Sequence, residues 1–351
     1  MTVSSRLPGF HRLTIGERIR ALRAAGLLSS ADEQILAAGN QVLAVDRAER
    51  MIENVVGVYG LPLGVALNLT VDGRDYALPM VVEEPSIVAG LSAAARTARS
   101  AGGFSTEGGE PLLIGQIQVL GVTDPPAARN RLLERRREII DLADSLQPDM
   151  VARGGGMRDV EVHVHPSPSH GDMLVVHLLV DTRDAMGANQ VNTLCEGVAP
   201  LVESITGGEA CLRILSNLAD RALVRAWVRL SPADCAGHGD DGERVCRGIV
   251  AASELAMVDR YRATTHNKGI MNGIDAVALA TGNDWRAIEA AAHAHAARDG
   301  HYRGLSRWHR DSEGGLVGEL ELPLKVGIVG GNLQSNPAVA VNLGLLGAKS
   351  A

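Results

Sequence analysis

Hydrophobic and polar positions change their period several times in the middle third of the chain. Residues 111–122 (P-L-L-I-G-Q-I-Q-V-L-G-V) alternate and carry Ile and Val, which is typical of a strand. Residues 125–147 repeat apolar positions at helical spacing, and their prolines stand at the start, where a helix tolerates them. Further strands are predicted at 157–165, 173–180 and 210–215, and a second helix at 189–205 that ends at the glycine pair 207–208.

This order of elements, β-α-β-β-α-β, predicts a split βαβ sandwich of the ferredoxin type. The segments on both sides of this small unit are rich in helical patterns and glycine turns. Because the unit lies between them, it is predicted to be an insertion into one larger domain. The expected fold class is therefore α+β, with a helix-rich large domain (1–109 and 219–351) and an inserted ferredoxin-like small domain (110–218) that binds a dinucleotide.

Composition narrows the class of protein. The chain has 351 residues, of which 46% are hydrophobic and 21% charged, as in an ordinary soluble globular protein. A net charge of −7 and only 3% aromatic residues argue against a nucleic-acid partner and against an anionic membrane surface. The amino terminus has no apolar signal region, no apolar run reaches membrane-spanning length, and the four cysteines show no C-x-x-C spacing. A reducing cytoplasm is the expected location.

Eleven histidines raise the question of a metal site. His163 and His165 lie two apart in E-V-H-V-H and would share one face of a strand, whereas His293 and His295 lie in a helical stretch where that separation divides them. No carboxylate or thiol completes a set at zinc-ligand spacing, so no metal site is predicted.

The segment Ala263–Asp284 (A-T-T-H-N-K-G-I-M-N-G-I-D-A-V-A-L-A-T-G-N-D) is the most informative in the chain. It places Lys268 beside a predicted glycine turn, then a mostly apolar run that predicts a buried helix, then Asp284 in a G-N-D turn. Because burying a lone charge is costly, we expect Lys268 and Asp284 to pair, and such a pair can polarise a carbonyl. The alternative is an ordinary surface lysine and a helix-end aspartate.

Two stretches nearer the amino terminus also carry a signal. In P-M-V-V-E-E-P-S (79–86), two glutamates precede a helical pattern, where the helix dipole favours an ionised carboxylate and burial opposes it. A glutamate whose pKa is set by these two opposing effects can act as a general acid. The alternative role for these glutamates is helix capping. The backbone of the stretches 53–57 (E-N-V-V-G) and 61–69 (L-P-L-G-V-A-L-N-L) is expected to pack closely against another group rather than to form surface loop.

A small-residue turn, D-A-M-G-A-N (184–189), opens the second predicted helix of the small domain. A helix amino terminus presents free N–H groups and a positive dipole end to a phosphate. A simple N-cap by Asp184 or Asn189 is the alternative. No G-x-G-x-x-G follows a strand, so the classical Rossmann arrangement is not predicted.

Together these motifs resemble one family, the hydroxymethylglutaryl-CoA (HMG-CoA) reductases, and within it the bacterial class II, degradative-type branch. The resemblance extends over nearly the whole chain in the family's order. Its segments are E-N-V-V-G (53–57), L-P-L-G-V-A (61–66), V-E-E-P-S (82–86), R-D-A-M-G-A-N (183–189), R-I-L-S-N-L-A-D (213–220), the segment Ala263–Asp284 and V-G-I-V-G-G (326–331).

The resemblance implies an oxidoreductase that interconverts HMG-CoA and mevalonate plus CoA by two successive hydride transfers with a nicotinamide cofactor. It assigns proton handling to Glu84, stabilisation of the carbonyl or hemithioacetal oxygen to Lys268, and the tuning of both groups to Asp284. The positions that hold the HMG portion are matched by Ser86, Arg262 and Asn272. The dinucleotide loop is matched by Asp184, Ala185, Met186, Gly187, Ala188 and Asn189. The resemblance also implies a homodimer, or a higher homo-oligomer, with the site at the subunit interface.

Two departures from the family qualify these expectations. NAD-preferring relatives place an aspartate after the first small-domain helix; here Gln147 aligns with it, with Asp144 and Asp149 nearby. Since an acidic group binds a ribose 2′-hydroxyl and repels a 2′-phosphate, NAD is the expected cofactor, with NADP as the alternative. The sequence also stops at L-G-L-L-G-A-K-S-A (343–351), before the family's C-terminal flap and its thiolate-protonating histidine. The alternative function is therefore a ligand-binding but catalytically impaired homologue that lacks the flap.

Overall fold

The computed structural model describes residues 4–39, 42–330, 333 and 336–348. Gly331, which ends the V-G-I-V-G-G segment, and the final residues 349–351 lie outside this description. The chain divides into two compact units. The larger comprises the described residues of Met1–Glu107, Val224–Leu322 and Ile328–Ser350, and the smaller those of Gly108–Leu223 and Pro323–Gly327.

The smaller unit has the predicted order of elements, which confirms the α+β class. Its strands and helices are β4 (Leu112–Leu120), α5 (Pro125–Glu134), α6 (Arg136–Leu146), α7 (Pro148–Ala152), β5 (Gly156–Ser167), β6 (Gly171–Asp181), α8 (Ala188–Thr206) and β7 (Glu209–Ser216). The sheet has the order β5-β6-β4-β7, and the pairs β5–β6, β4–β6 and β4–β7 are antiparallel. The single helix predicted over 125–147 is instead two helices divided at Arg135, followed by the short α7.

One face of this sheet carries the core of the smaller unit. Val160 and Val162 of β5 and Val176 of β6 are buried in one cluster with residues of the helices, such as Leu132 and Leu194. Because side chains alternate across a strand, the residues between these positions lie on the opposite face. The register places Glu161 of β5 directly beside His177 of β6 on that opposite face.

The larger unit is built from both ends of the chain. Its amino-terminal elements are α1 (Ile15–Ala24), α2 (Ser30–Ala37), α3 (Val45–Ala48), β1 (Leu63–Val71), β2 (Arg74–Val81), α4 (Ile87–Ser100) and β3 (Ser105–Gly108). Its later elements are β8 (Leu223–Leu230), α9 (Pro232–Cys235), α10 (Gly242–Val258), α11 (Arg260–Ala280), α12 (Trp285–Ala296), β9 (Ser306–Arg310), β10 (Leu316–Pro323) and α13 (Pro337–Leu346). Strands β1 and β2 form a hairpin, and β3-β8-β10-β9 form a four-stranded sheet.

Helix α11 organises the larger unit. It lies against β2, and Ala276 of α11 is buried in one cluster with Met80 of β2 and Ala66 of β1. Small side chains at this contact let the helix approach the hairpin closely, in a chain with few aromatic residues. None of the helices within the described residues combines the length and the apolarity needed to cross a membrane.

Two expectations about local structure are wrong. No glycine turn separates Lys268 from the following helix, because α11 runs without interruption from Arg260 to Ala280. A helical glycine costs about 1 kcal/mol relative to alanine, which the packed helix tolerates. The stretch 53–57 is surface loop in the described chain, and Val56 is fully exposed.

Candidate active site

Glu84 and Lys268 form an ion pair within the larger unit. Glu84 lies in the loop between β2 and α4, Lys268 lies near the middle of α11, and the Lys268 Nζ donates a hydrogen bond to the Glu84 Oε2. The packing of α11 against β2 brings the two together, because the glutamate follows the buried end of β2. Their side chains are 58% and 43% exposed. An exposed ion pair stabilises a fold by at most about 1 kcal/mol, so the pair is available for chemistry at little cost to folding.

Asn267, the residue before Lys268, fixes the direction in which the Lys268 side of α11 faces. The fully buried Asn267 amide donates from Nδ2 to the Arg303 carbonyl oxygen at 2.8 Å, and its Oδ1 accepts from the Leu305 N–H at 2.8 Å. A buried amide satisfied on both sides is costly to move, which fixes the rotation of the helix. Lys268 therefore points to a defined side of α11.

Asn272 and Asp275 share the Lys268 side of α11, since residues three and four apart are neighbours on a helix. Burial and the neighbouring Glu289 raise the pKa of the Asp275 carboxyl to about 7. The sequence reasoning missed Asp275; the signal was an acidic residue inside an apolar helical run. Arg262 lies six residues before Lys268, a rotation of about 120° away from that side at 3.6 residues per turn.

The backbone at Ser86 is strained. Ser86 is the N-cap residue of α4 with φ of 71°, in the left-handed region, and its hydroxyl makes no capping bond to the described residues. Left-handed backbone costs a non-glycine residue about 1–2 kcal/mol. Its carbonyl accepts the first helical bond from the Gly90 N–H at 2.8 Å. Backbone strain of this kind is concentrated at ligand-binding loops. The Ser86 side chain is also exposed, so its hydroxyl can contact a ligand.

Asp284 does not meet Lys268 in the described chain. Its Oδ1 accepts a hydrogen bond from the Ala287 N–H at 3.1 Å as the N-cap of α12, and it lies 3.8 Å from the Arg286 Nε. The contacts of Asp284 thus fit the alternative, an aspartate at a helix end, better than the expected pair with Lys268. The assumption of burial is also wrong, since the Lys268 side chain is more than half exposed.

His266, one helical turn after Arg262, has a structural partner. Its Nε2 lies 2.7 Å from the Ser306 Oγ of β9. Burial, with a contribution from Arg262, lowers the pKa of the His266 imidazole below its usual value. The lowered pKa favours the neutral form of the ring.

In the smaller unit, the predicted dinucleotide loop joins β6 to α8. Gly187, with φ of 90°, is the N-cap residue of α8, and as a glycine it has no side chain to cap the helix. The N-cap residue of α8 is therefore neither Asp184 nor Asn189, the two residues that the sequence offered for that position. A Cβ on Gly187 would lie 2.4 Å from the Thr182 Cγ2, so glycine is required for the backbone to turn here. The amino terminus of this 19-residue helix carries the positive end of its dipole, which favours an anion there.

Two arginines anchor the start of this loop. The buried Asp181 accepts a hydrogen bond from the Arg158 Nη2 at 2.9 Å and from the Arg183 N–H at 2.9 Å. The Arg183 side chain also donates to the Gly154 carbonyl oxygen. These charge-assisted bonds hold the residue before the D-A-M-G-A-N turn in one conformation.

Lys325, a residue that sequence reasoning missed, lies beside the loop. Its Nζ donates to the Arg183 carbonyl oxygen at 2.7 Å. Burial lowers the pKa of the ammonium, and Asp181 and Asp184 oppose this effect. A Cβ on Gly327 would lie 2.4 Å from the Met186 nitrogen, so this segment and the loop are in close backbone contact. The available signal was a lone lysine in the apolar run L-P-L-K-V-G.

The predicted ribose contact falls where α6 ends. Gln147 separates α6 from α7, and Asp149 lies exposed in the first turn of α7. The Asp144 Oδ1 accepts a hydrogen bond from the Met157 N–H at 2.8 Å, so this oxygen ties α6 to β5.

Comparison with known proteins places this fold and these motifs in one family. The family model "Hydroxymethylglutaryl-coenzyme A reductase" matches residues 14–351. The chain is 48% identical over 349 residues to the 3-hydroxy-3-methylglutaryl-coenzyme A reductase of Archaeoglobus fulgidus, covering 99% of this chain and 78% of that protein. It is 34% identical over 308 residues to the probable reductase of Borreliella burgdorferi, covering 86% and 68% of the two chains.

Solved structures agree. The class II reductase of Streptococcus pneumoniae, in a structure bound to NADPH in open conformations, superimposes with a TM-score of 0.94 at 42% identity. The match covers 98% of this chain and 92% of that one. The protein is thus of the class II reductase fold. It belongs to the hydroxymethylglutaryl-coenzyme A reductase family.

Proposed function

We propose that this chain interconverts HMG-CoA with mevalonate and CoA, with two hydrides and two protons consumed in the direction of reduction. Family membership supports the reaction. The ion pair between Glu84 and Lys268 is the observation from which we assign the reaction to particular atoms. Hydride addition to a thioester or an aldehyde places negative charge on the carbonyl oxygen. An ammonium with a carboxylate beside it can hold that oxygen and exchange a proton.

In this proposal the Lys268 Nζ faces the developing oxyanion, and Glu84 takes up a proton from solvent and passes it to that oxygen. The exposure of both side chains leaves room for a substrate beside them. The family resemblance assigns the tuning of this pair to Asp284, which in the described chain caps α12 and contacts Arg286. The HMG carboxylate and hydroxyl are held by Ser86, Arg262 and Asn272.

The nicotinamide cofactor supplies and accepts the hydride when bound, and residues of the smaller unit fit it. The dipole at the amino terminus of α8, the glycine turn at Gly187 and the ammonium of Lys325 all favour an anionic group at residues 184–189. We propose NAD as the preferred nucleotide, because Asp149 lies exposed at the predicted ribose contact, where its carboxylate would repel a 2′-phosphate. Calorimetric titration is expected to show tighter binding of NADH than of NADPH. Tighter binding of NADPH would overturn this placement of the ribose.

We also propose a homodimer with the site at the subunit interface. In the larger unit, residues 52–59 expose large apolar side chains: Ile52 at 65%, Val56 at 102% and Tyr59 at 90%. An exposed apolar segment of this kind marks an interaction surface, and its sequence lies in the E-N-V-V-G region that carries the family resemblance. Light scattering should give twice the chain mass, and Val56→Asp should shift it toward the monomer. A wild-type monomer would contradict the proposal.

The experiment that tests the reaction uses two substrates on one preparation of the 351-residue chain. HMG-CoA reports on the full reaction, and mevaldehyde reports on the second reduction alone, because it has no thiol to expel. The reductase proposal expects NADH oxidation with both. The alternative is an impaired homologue. It predicts that the chain binds its ligands but reduces the HMG-CoA thioester more slowly than a fully active reductase, by about a hundred- to ten-thousandfold, which is the usual contribution of a general acid. Binding without turnover of either substrate would overturn the reductase proposal.

A further inference from the structure

The sheet face of the smaller unit that lies opposite its helices carries a cluster of metal-ligating side chains. Glu161 of β5 pairs in register with His177 of β6, which pairs in turn with Gln116 of β4. His163 lies two residues after Glu161 on the same face. Sequence spacing failed to predict this set, because its third member comes from a neighbouring strand.

The three side chains converge to within coordinating distance. The Glu161 Oε2 lies 3.5 Å from the His163 Nε2 and 4.0 Å from the His177 Nδ1, and the three ligand atoms all lie within 4.8 Å of one another. The two imidazole rings are 4.5 Å apart at an angle of 54°. Around tetrahedral zinc, with bonds of about 2.0–2.1 Å, ligand atoms lie about 3.4 Å apart. Small side-chain rotations therefore suffice to enclose an ion.

One buried nitrogen in this cluster finds no hydrogen-bond partner in the part of the chain that the structure describes. The His163 Nε2 is buried and accepts or donates no hydrogen bond to the described residues. Buried polar atoms without partners are rare in native structures and call for an explanation. This nitrogen points toward the carboxylate oxygen and the second imidazole, at the position that a shared ion would occupy.

The surrounding groups suit a cation. The Gln116 Nε2 lies 2.9 Å from the His177 Nε2, which leaves the His177 Nδ1 for coordination; with the amide reversed, its oxygen would accept from the ring N–H. The Arg221 Nη2 donates to the Glu161 Oε1 at 2.7 Å, so the Oε2 is the oxygen left for a ligand. Asp220 lies 3.9 Å from the Arg221 Nε and offsets its charge. With neutral imidazoles, these groups carry a net charge of about −1.

We propose that Glu161, His163 and His177 form a binding site for a divalent transition metal of the zinc class, with water completing the coordination. Two imidazoles and one carboxylate select zinc, cobalt or nickel over magnesium and calcium, which prefer all-oxygen sets. Such an ion would join β5, the edge strand of the sheet, to β6. None of the three residues belongs to the proposed reductase site, so this inference stands apart from the proposed reaction.

Cobalt(II) tests the proposal, because its visible absorption reports coordination directly. The full chain, stripped with chelator, is titrated with Co²⁺ and then with Zn²⁺. We expect one equivalent to give a four- or five-coordinate spectrum without a thiolate charge-transfer band, and Zn²⁺ to displace it. Mg²⁺ and Ca²⁺ in excess should leave the spectrum unchanged.

Variants identify the ligands. His177→Ala and Glu161→Gln should each weaken Co²⁺ binding by more than about 100-fold, and Gln116→Ala by about 10- to 100-fold, the usual loss for a group that orients a ligand. His163→Gln should weaken binding while keeping a polar side chain, which guards against a folding artefact. His165→Ala is the matched control and should change binding less than about twofold, since its ring centroid lies 6.2 Å from that of His163. No Co²⁺ binding in the micromolar range, binding unaffected by the three ligand variants, or a thiolate band that places the metal at cysteine would each overturn the proposal.

Discussion

Glu84 accepts a hydrogen bond from Lys268 within one chain, although 184 positions separate them. The pair depends on the packing of α11 against β2 rather than on local sequence. Since both side chains are largely exposed, the pair contributes little to folding, and its removal should affect chemistry before stability. This separation of effects makes the site testable by single substitutions.

Replacing Lys268 by alanine should abolish most turnover. Loss of one group that stabilises an oxyanion lowers kcat by about a hundred- to thousandfold, while cofactor affinity should change little because the charge acts on the reacting oxygen. Steady-state kinetics and calorimetric titration with NADH measure the two effects. Thr264→Ala, an exposed change earlier on the same helix, is the control. A Lys268→Ala enzyme with undiminished kcat would remove the lysine from the proposed mechanism.

Adjacent glutamates offer a matched pair of substitutions at the head of α4. Glu84→Gln keeps an oxygen that can accept the Lys268 hydrogen bond but removes the negative charge and the proposed proton carrier, so kcat should fall by about a hundredfold or more. Glu83→Gln changes the same charge one residue earlier and should leave kcat within a fewfold. Both variants should unfold within about 1 kcal/mol of the wild type in urea. Equal losses of activity in the two variants would show a general charge effect instead.

Gly187→Ala should weaken cofactor binding by at least about tenfold. The new Cβ would meet Thr182 in a backbone region that alanine adopts only with strain, so the turn that opens α8 must move. Gly171→Ala is the control: φ is 69° there too, but a Cβ would contact nothing within 4 Å. It should cost about 1–2 kcal/mol of stability without changing NADH affinity. Unaltered NADH affinity in Gly187→Ala would separate residues 184–189 from cofactor binding.

Asp275 makes stability depend on pH. Its pKa is about 7 in the folded chain, raised by burial and by Glu289, against about 3.9 when unfolded. Between these values the folded state holds a proton that the unfolded state has lost, so this carboxyl's contribution is fully present below about pH 4 and is lost as pH rises through 7. Asp275→Asn should therefore stabilise the protein by about 1 kcal/mol at pH 8, after allowance for solvent screening, and by almost nothing at pH 4.

Urea unfolding across pH 4–8 measures this effect. The control is Asp299→Asn, whose carboxylate is 60% exposed near the end of α12 and should show no such trend. A gain from Asp275→Asn that is equal at both ends of the pH range would mean that the effect is steric rather than electrostatic.

Local patterns determined much of the smaller unit. Alternation in β4, β5, β6 and β7 and the helical period of α8 are properties of neighbouring residues, and so is the end of α8 at Gly207, whose φ is 73°. The ordered motifs also carried the family resemblance, because their spacing along the chain is itself sequence information. The cytoplasmic location and the absence of a nucleic-acid partner stay predictions from composition.

Tertiary structure decided what local patterns could not. Packing against β2 keeps α11 helical through Gly269, where the local signal favoured a turn. Asp284 caps α12 and contacts Arg286 instead of Lys268, since capping is satisfied by the adjacent backbone and a pair with Lys268 depends on a distant helix. His177 reaches Glu161 only through the register of two paired strands. Propensities, turns and caps act over a few residues and can be read from the chain, whereas contacts between elements depend on packing, which no short segment specifies.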